Sequence, residues 1–226
     1  MKKKIWIISE VFYPVTISTG YIMTEIAKYL TLDYDVNDKE FKKVKEGLTE
    51  LSKELFSNNF TRSKEKAKEI EIVVSNILED KSLEIVEEHL THLKKELQTI
   101  QNLVRIKESQ MLLNVSEYFL KKDILLHSVT LLYEAMVAFL DEKIKNNSRC
   151  CSETDTYRRR NCLKKSLGDC RSVRNISNCR EFSRKLREID RLRNISAHGH
   201  TTGTHQQNLR DEITNTLQFI KPIMAR

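Results

Sequence analysis

Along most of the chain apolar residues recur every three or four positions with charged residues between them, the spacing that lays one apolar stripe on an α-helix. Leu48, Leu51 and Leu55 make one stripe, and Ala67, Ile70, Val74 and Ile77 a second, with Glu71, Glu79 and Asp80 left outside. Residues 82–121 keep the period through Leu90, Leu93, Leu97, Ile100 and Val104 and suit one long helix or two consecutive ones. The stretch from Asp123 to about Lys145 is the most apolar, with Leu125, Val129, Leu132, Met136 and Phe139 on one line and Ile124, Leu131 and Ala135 beside it. That helix is expected to be central. Further on, Phe182, Leu186 and Ile189 mark a helix from Glu181 to His198, and Leu209, Ile213, Leu217 and Ile220 mark a last one. Residues 146–178 break this rhythm with Asn146-Asn147-Ser148, Gly168-Asp169 and many arginines, and so does the start: residues 4–8 read as a short buried strand, followed by a loop through Pro14 and Gly20 and an amphipathic stretch from Ile22 to Leu30.

Composition agrees with the helical reading. Five Gly and two Pro in 226 residues are too few for the reversals of a sandwich, a barrel or a doubly wound sheet. The expected fold is therefore all-α, with a strand-loop-helix segment over 1–37, a helical region over 38–110 and a helical domain over 111–226 that carries an insert at 146–178. The chain is long enough to bury a core without disulfides or metals. It has no run of about 18 apolar residues and no signal-peptide core after Met1-Lys2-Lys3-Lys4, so a cytoplasmic protein with no membrane partner is expected. Four of its five cysteines lie within 150–170 and the fifth is Cys179, with no C-x-x-C spacing. Reduced thiols, no metal site and no cofactor follow as expectations.

Charge is unevenly placed. Between Lys143 and Arg193 there are 16 basic and 6 acidic residues, a net of +10, whereas the rest of the chain carries −3. A concentrated basic region, including Arg158-Arg159-Arg160, on a mildly acidic body suits a polyanion such as an RNA backbone.

The apolar line Phe182, Leu186, Ile189 continues by four and three onto Arg193 and Ser196. An arginine thus stands where a core leucine belongs, and this end of the helix is expected either to dock on something polar or to send Arg193 to solvent. The opposite face carries Arg187, Arg191, Asn194 and His198 at helical spacing. Gly199 lets the chain leave the helix into the loop from His200 to His205.

The heptad Arg193-Asn194-Ile195-Ser196-Ala197-His198-Gly199 resembles the Arg-x4-His signature of HEPN-domain ribonucleases. With 15 arginines and six histidines about 0.4 such pairs arise by chance, so the weight lies on the adjacent Asn194, the small Ala197, the following glycine and the flanking amphipathic helices. The stretch Leu112-Leu113-Asn114-Val115-Ser116-Glu117-Tyr118-Phe119-Leu120, then His127 through Leu140, is similar to the opening helices of the HEPN region in CRISPR type III-associated CARF–HEPN proteins. Residues 1–36, with Ser9-Glu10-Val11-Phe12-Tyr13-Pro14 and Ser18-Thr19-Gly20-Tyr21, resemble the N-terminus of two-domain (GT-B) sugar-nucleotide glycosyltransferases, but nothing downstream looks like that family's donor-binding half.

The HEPN resemblance implies a metal-independent endoribonuclease that acts on single-stranded RNA as a homodimer in antiviral defence, with Arg193, Asn194 and His198 catalytic. Elementary chemistry gives these residues work. When a ribose 2′-hydroxyl attacks its own phosphate, a histidine near its ordinary pKa moves or orients a proton, and an arginine offers a planar fork to the phosphate oxygens. On an ideal helix Arg193 and His198 point about 140° apart, so two chains are expected to share the site. Arg187, Arg191, His200 and Arg158, Arg159 and Arg160 are the expected RNA contacts. The CRISPR relatives place a sensor of cyclic oligoadenylate ahead of the HEPN part. Residues 1–37 would supply at most a strand and a helix of one, so regulation by another chain, as in a toxin-antitoxin pair, stands beside activation by that messenger. A non-catalytic helical RNA-binding or assembly module is the alternative. His127 and Glu134 share the polar face of the central helix and are expected to be solvated or hydrogen-bonded.

Overall fold

The computed structural model describes residues 38–79, 84–104, 107–144, 161–162, 176, 178–197 and 203–225. The strand expected at 4–8, the segment 1–37 and most of the basic insert lie outside them. Among the described residues the protein is all-α: seven helices and no strand. They are α1 (Asp38–Phe56), α2 (Phe60–Leu78), α3 (Glu84–Leu103), α4 (Glu108–Lys121), α5 (Leu125–Ile144), α6 (Cys179–Ala197) and α7 (Gly203–Met224). The chain divides into two compact units between Val104 and Arg105. Residues 82–121 thus hold two helices, α3 ending the first unit and α4 opening the second.

In the first unit α2 packs on α1 and on α3. Phe41, Val44, Leu48, Leu51 and Leu55 of α1 are buried at the spacing the sequence shows, as are Ala67, Ile70, Val74 and Ile77 of α2 and Leu90, Leu93, Leu97 and Ile100 of α3. Gly47 lets α1 and α2 approach: a Cβ there would stand 2.7 Å from Cγ1 of Ile70. Asn58, at φ 59°, ends α1, with Asn59 N–H donating to Glu54 C=O at 2.9 Å and Asn58 N–H to Leu55 C=O at 3.2 Å. This is the Schellman pattern, and asparagine tolerates its left-handed residue. Polar bridges tie the helices outside the core. Lys66 reaches Glu50 of α1 and Glu69 of its own helix, at 2.8 and 2.7 Å, and these hydrogen bonds push its ammonium pKa up to about 12. Glu71 accepts from Gln101 and Gln98 of α3, which hold its carboxyl below the ordinary range.

In the second unit α5 and α7 each pack on the other three helices. Val129, Leu132, Met136 and Phe139 of α5 are buried, as its apolar line requires. A second Schellman turn, centred on Asp123 at φ 62°, reverses the chain between α4 and α5. Asp123 also pairs with Arg210 of α7. Deeper in, Ser116 Oγ donates to the Ser128 carbonyl at 2.8 Å and Ser128 Oγ returns a bond to the Ser116 carbonyl at 2.9 Å. Both serines are fully buried, and the reciprocal bonds satisfy hydroxyls that burial would otherwise penalise. Lys221 of α7 reaches Glu117 of α4 at 2.7 Å. Burial works to raise the Glu117 carboxyl, but the Lys221 hydrogen bond and the charges of Lys221 and Lys121 outweigh it and leave it below the ordinary value.

The cysteines correct one expectation. Cys162 is disulfide-bonded, against the reduced thiols expected from the odd count and the spacing, and Cys179 is a buried thiol at the start of α6. Spacing rules for metal and redox motifs do not decide which cysteines the fold brings within bonding distance. No described helix is long and apolar enough to cross a membrane.

Candidate functional site

Helix α6 crosses α5 antiparallel, with Phe182 against Phe139 (ring centroids 5.9 Å apart) and Arg193 against Tyr133. Phe182, Leu186 and Ile189 are buried, and the line they define delivers Arg193 into the same seam. There its guanidinium carbon lies 4.0 Å from the centre of the Tyr133 ring. One edge reaches Asp190 at 3.0 Å, one turn earlier on α6, and Glu134 of α5 stands 3.9 Å away. A third contact donates to Asn194 Oδ1 at 3.2 Å. The arginine that interrupts the apolar stripe therefore docks on a polar and aromatic partner, the first of the two outcomes the stripe allowed. Stacking on a ring and pairing with carboxylates together compensate a charge whose side chain is only 24 % exposed.

The structure brings Arg193, Asn194, Glu134, Asp190 and Tyr133 together. Glu134 enters as an ion-pair partner of Arg193, a role beyond the solvated or hydrogen-bonded one expected of it. Asp190 was legible as an i,i+3 neighbour of Arg193, whereas nothing local to Tyr133 announces the guanidinium that covers it. His127, on α5, meets Phe119 with ring centroids 5.5 Å apart, and burial lowers its imidazole pKa below the ordinary value. His198, His200 and Arg158, Arg159 and Arg160 lie outside the described residues.

The other cations of α6 fall into two groups. Arg184 forms a two-point pair with Glu181 and lies 3.6 Å from Glu188, while Lys185 reaches Glu212 of α7 at 3.2 Å and Glu188 at 3.7 Å. Arg180, Arg187 and Arg191 are exposed and pair with no carboxylate among the described residues; Arg187 donates only to the Ser183 carbonyl. Their spacing of seven and four keeps them within about 40° of one another around the helix, over about 16 Å of its length. Asn194 is exposed at the end of that row. Among the described residues no group of three His, Cys, Asp or Glu side chains is placed to hold a metal ion.

Compared with known protein families, curated proteins and solved structures, the chain matches none. The functional reading therefore rests on the residues themselves.

Proposed function

We propose that the second unit is a metal-independent endoribonuclease of the HEPN type, cutting single-stranded RNA at a site shared by two copies of the chain. The observation that carries this reading is the face of α6, where Arg180, Arg187 and Arg191 lead, uncompensated, to Asn194, whose side-chain oxygen accepts from Arg193 at the edge of the α5 seam. A polyanion following that row is drawn by charge to the motif. There the 2′-hydroxyl attacks the adjacent phosphate, the 5′-oxygen leaves with a proton, and the products are a 2′,3′-cyclic phosphate and a 5′-hydroxyl. His198 handles the proton, Arg193 the negative charge on the phosphate oxygens, and Asn194 orients either group. The resemblance to CRISPR type III proteins makes antiviral defence the setting, with a toxin-antitoxin pair as the other.

A second reading has a specific observation in its favour. Arg193 faces two carboxylates of its own chain, which supports a non-catalytic module that binds RNA through the uncompensated arginines. Incubation with end-labelled RNA in EDTA, followed by analysis of the product ends, separates the two. The enzyme reading expects cyclic-phosphate ends, and a loss of about a hundredfold or more in rate for His198→Ala with RNA binding retained. Binding by the parent protein with no cleavage establishes the module instead.

A further inference from the structure

Behind the arginine row, α6 and α7 enclose a groove of about 470 Å³ that the nuclease reading leaves without a role. Leu192, Ile195 and Leu209 give it an apolar wall, while Ser196, Asn208 and Asp211 add polar groups, and Arg191 stands at its lip. Three carboxylates border it, Glu188, Asp211 and Glu212, and in isolation they would suit a cation. That demand is already met from within: Lys185, 8 % exposed, reaches Glu212 at 3.2 Å and Glu188 at 3.7 Å. Asp211 is different. It is exposed, no cation pairs with it among the described residues, and one of its oxygens accepts only from Gln207 at 2.9 Å. What the groove offers a ligand is an apolar wall, an acceptor carboxylate at the rim and an unpaired guanidinium beside it.

We infer that this groove receives one unpaired guanine base of an RNA strand whose phosphate rests on Arg191. The inference builds on the RNA reading above and names the base that reading leaves open. An apolar wall suits the flat face of a base, and its volume lies in the range of small-ligand sites. A carboxylate accepts two parallel hydrogen bonds, and guanine alone among the four bases presents two adjacent donors, N1–H and the N2 amino group, on its Watson–Crick edge. Adenine and cytosine each set an acceptor beside their donor, and uracil flanks its single donor with two carbonyls. A basic peptide is disfavoured because Lys185 holds the inner carboxylates and Arg191 guards the mouth.

The test is fluorescence anisotropy with labelled hexanucleotides in which one position of an oligo-U strand is G, A, C or U, measured on the full chain with EDTA and 2′-deoxy substrate to prevent cleavage. The G strand is expected to bind about tenfold tighter than the U strand. Asp211→Asn, at an exposed position with little structural duty, is expected to erase that preference, any rise in affinity from the lost negative charge being shared equally by the four strands. Ile195→Trp, which fills the groove, is expected to do the same. Equal affinity for all four strands, or a G preference that survives both variants, overturns the proposal, as does competition by an oligolysine peptide that Ile195→Trp abolishes. The outcomes stay separable from those of the nuclease assay: cleavage of ribo-oligonucleotides without G selection removes the groove alone, and G-selective binding without cleavage removes the nuclease alone.

Discussion

The two units differ in where they put their charged groups. In the first, the charges stay outside an apolar core and bridge helices across the surface, as Lys66 does to Glu50 and Glu71 does to Gln98 and Gln101. Both units bury serines, Ser52 and Ser63 in the first and Ser116 and Ser128 in the second, but in the second charged groups also enter the packing: Lys185 is nearly buried and Arg193 lies on a buried tyrosine. Burying such groups stabilises nothing by itself, since each must first recover the hydrogen bonds it gave up in water. The first unit buries no charged side chain among its described residues, so the two cations that α6 carries into the packing mark the part of the molecule where charge is placed for something besides folding.

Four experiments put this contrast at risk. The largest effect is expected from Phe182→Ala, which empties a fully buried site against Phe139 and costs about 3–5 kcal/mol. Hydrogen exchange read by mass spectrometry is expected to show lost protection in 107–225 while 38–104 keeps its own; equal loss in both would erase the division. Next comes Gly47→Ala in the first unit. The gain in helix propensity, about 1 kcal/mol, is opposed by a Cβ 2.7 Å from Ile70, and a net loss of about 1 kcal/mol is expected in urea melts.

Smaller is the expected response to Asp190→Asn, which removes one of the two carboxylates facing Arg193. RNA affinity at low salt is expected to rise about threefold. Glu69→Gln, the same charge change in the first unit, is the control, and an equal rise there would reduce the effect to net charge. The smallest effect is one of pH. His127 is held neutral by burial, so the unfolded chain takes up a proton below about 6.5 before the folded one does, and stability of the second unit falls as pH drops below that value. Glu71 behaves otherwise: its lowered folded pKa contributes stability above the ordinary carboxylate range, lost only as pH falls through that lowered value. Thermal melts between pH 7 and pH 5.5 are thus expected to weaken the second unit alone, and His127→Gln to flatten the response.

Much of the fold was legible beforehand because a helix announces itself locally. The stripe from Leu125 to Phe139 foretold the helix that packs on its three neighbours, and α6 and α7 begin and end within a few residues of their apolar lines. The break between Leu103 and Glu108 was not decided by periodicity, since the apolar spacing runs through it from Val104 onward. At the site, the row Arg187, Arg191, Asn194 reads off as one exposed face, and it is exposed. Arg193 was recognisable as an anomaly in its stripe, but its resolution was not.

The helical class, the buried lines and the face on which α6 presents its arginines were all readable from the order of residues, because each depends on a period of 3.6 residues within one segment. The tertiary structure alone decided that Arg193 lies on Tyr133 between Asp190 and Glu134, that Ser116 and Ser128 exchange hydrogen bonds, and that Lys185 occupies the carboxylates behind the groove. Apart from the i,i+3 pairs of Arg193 with Asp190 and Lys185 with Glu188, these pairings join residues 12 to 60 positions apart, and no local rule states which surface of one helix will meet which surface of another until both have packed.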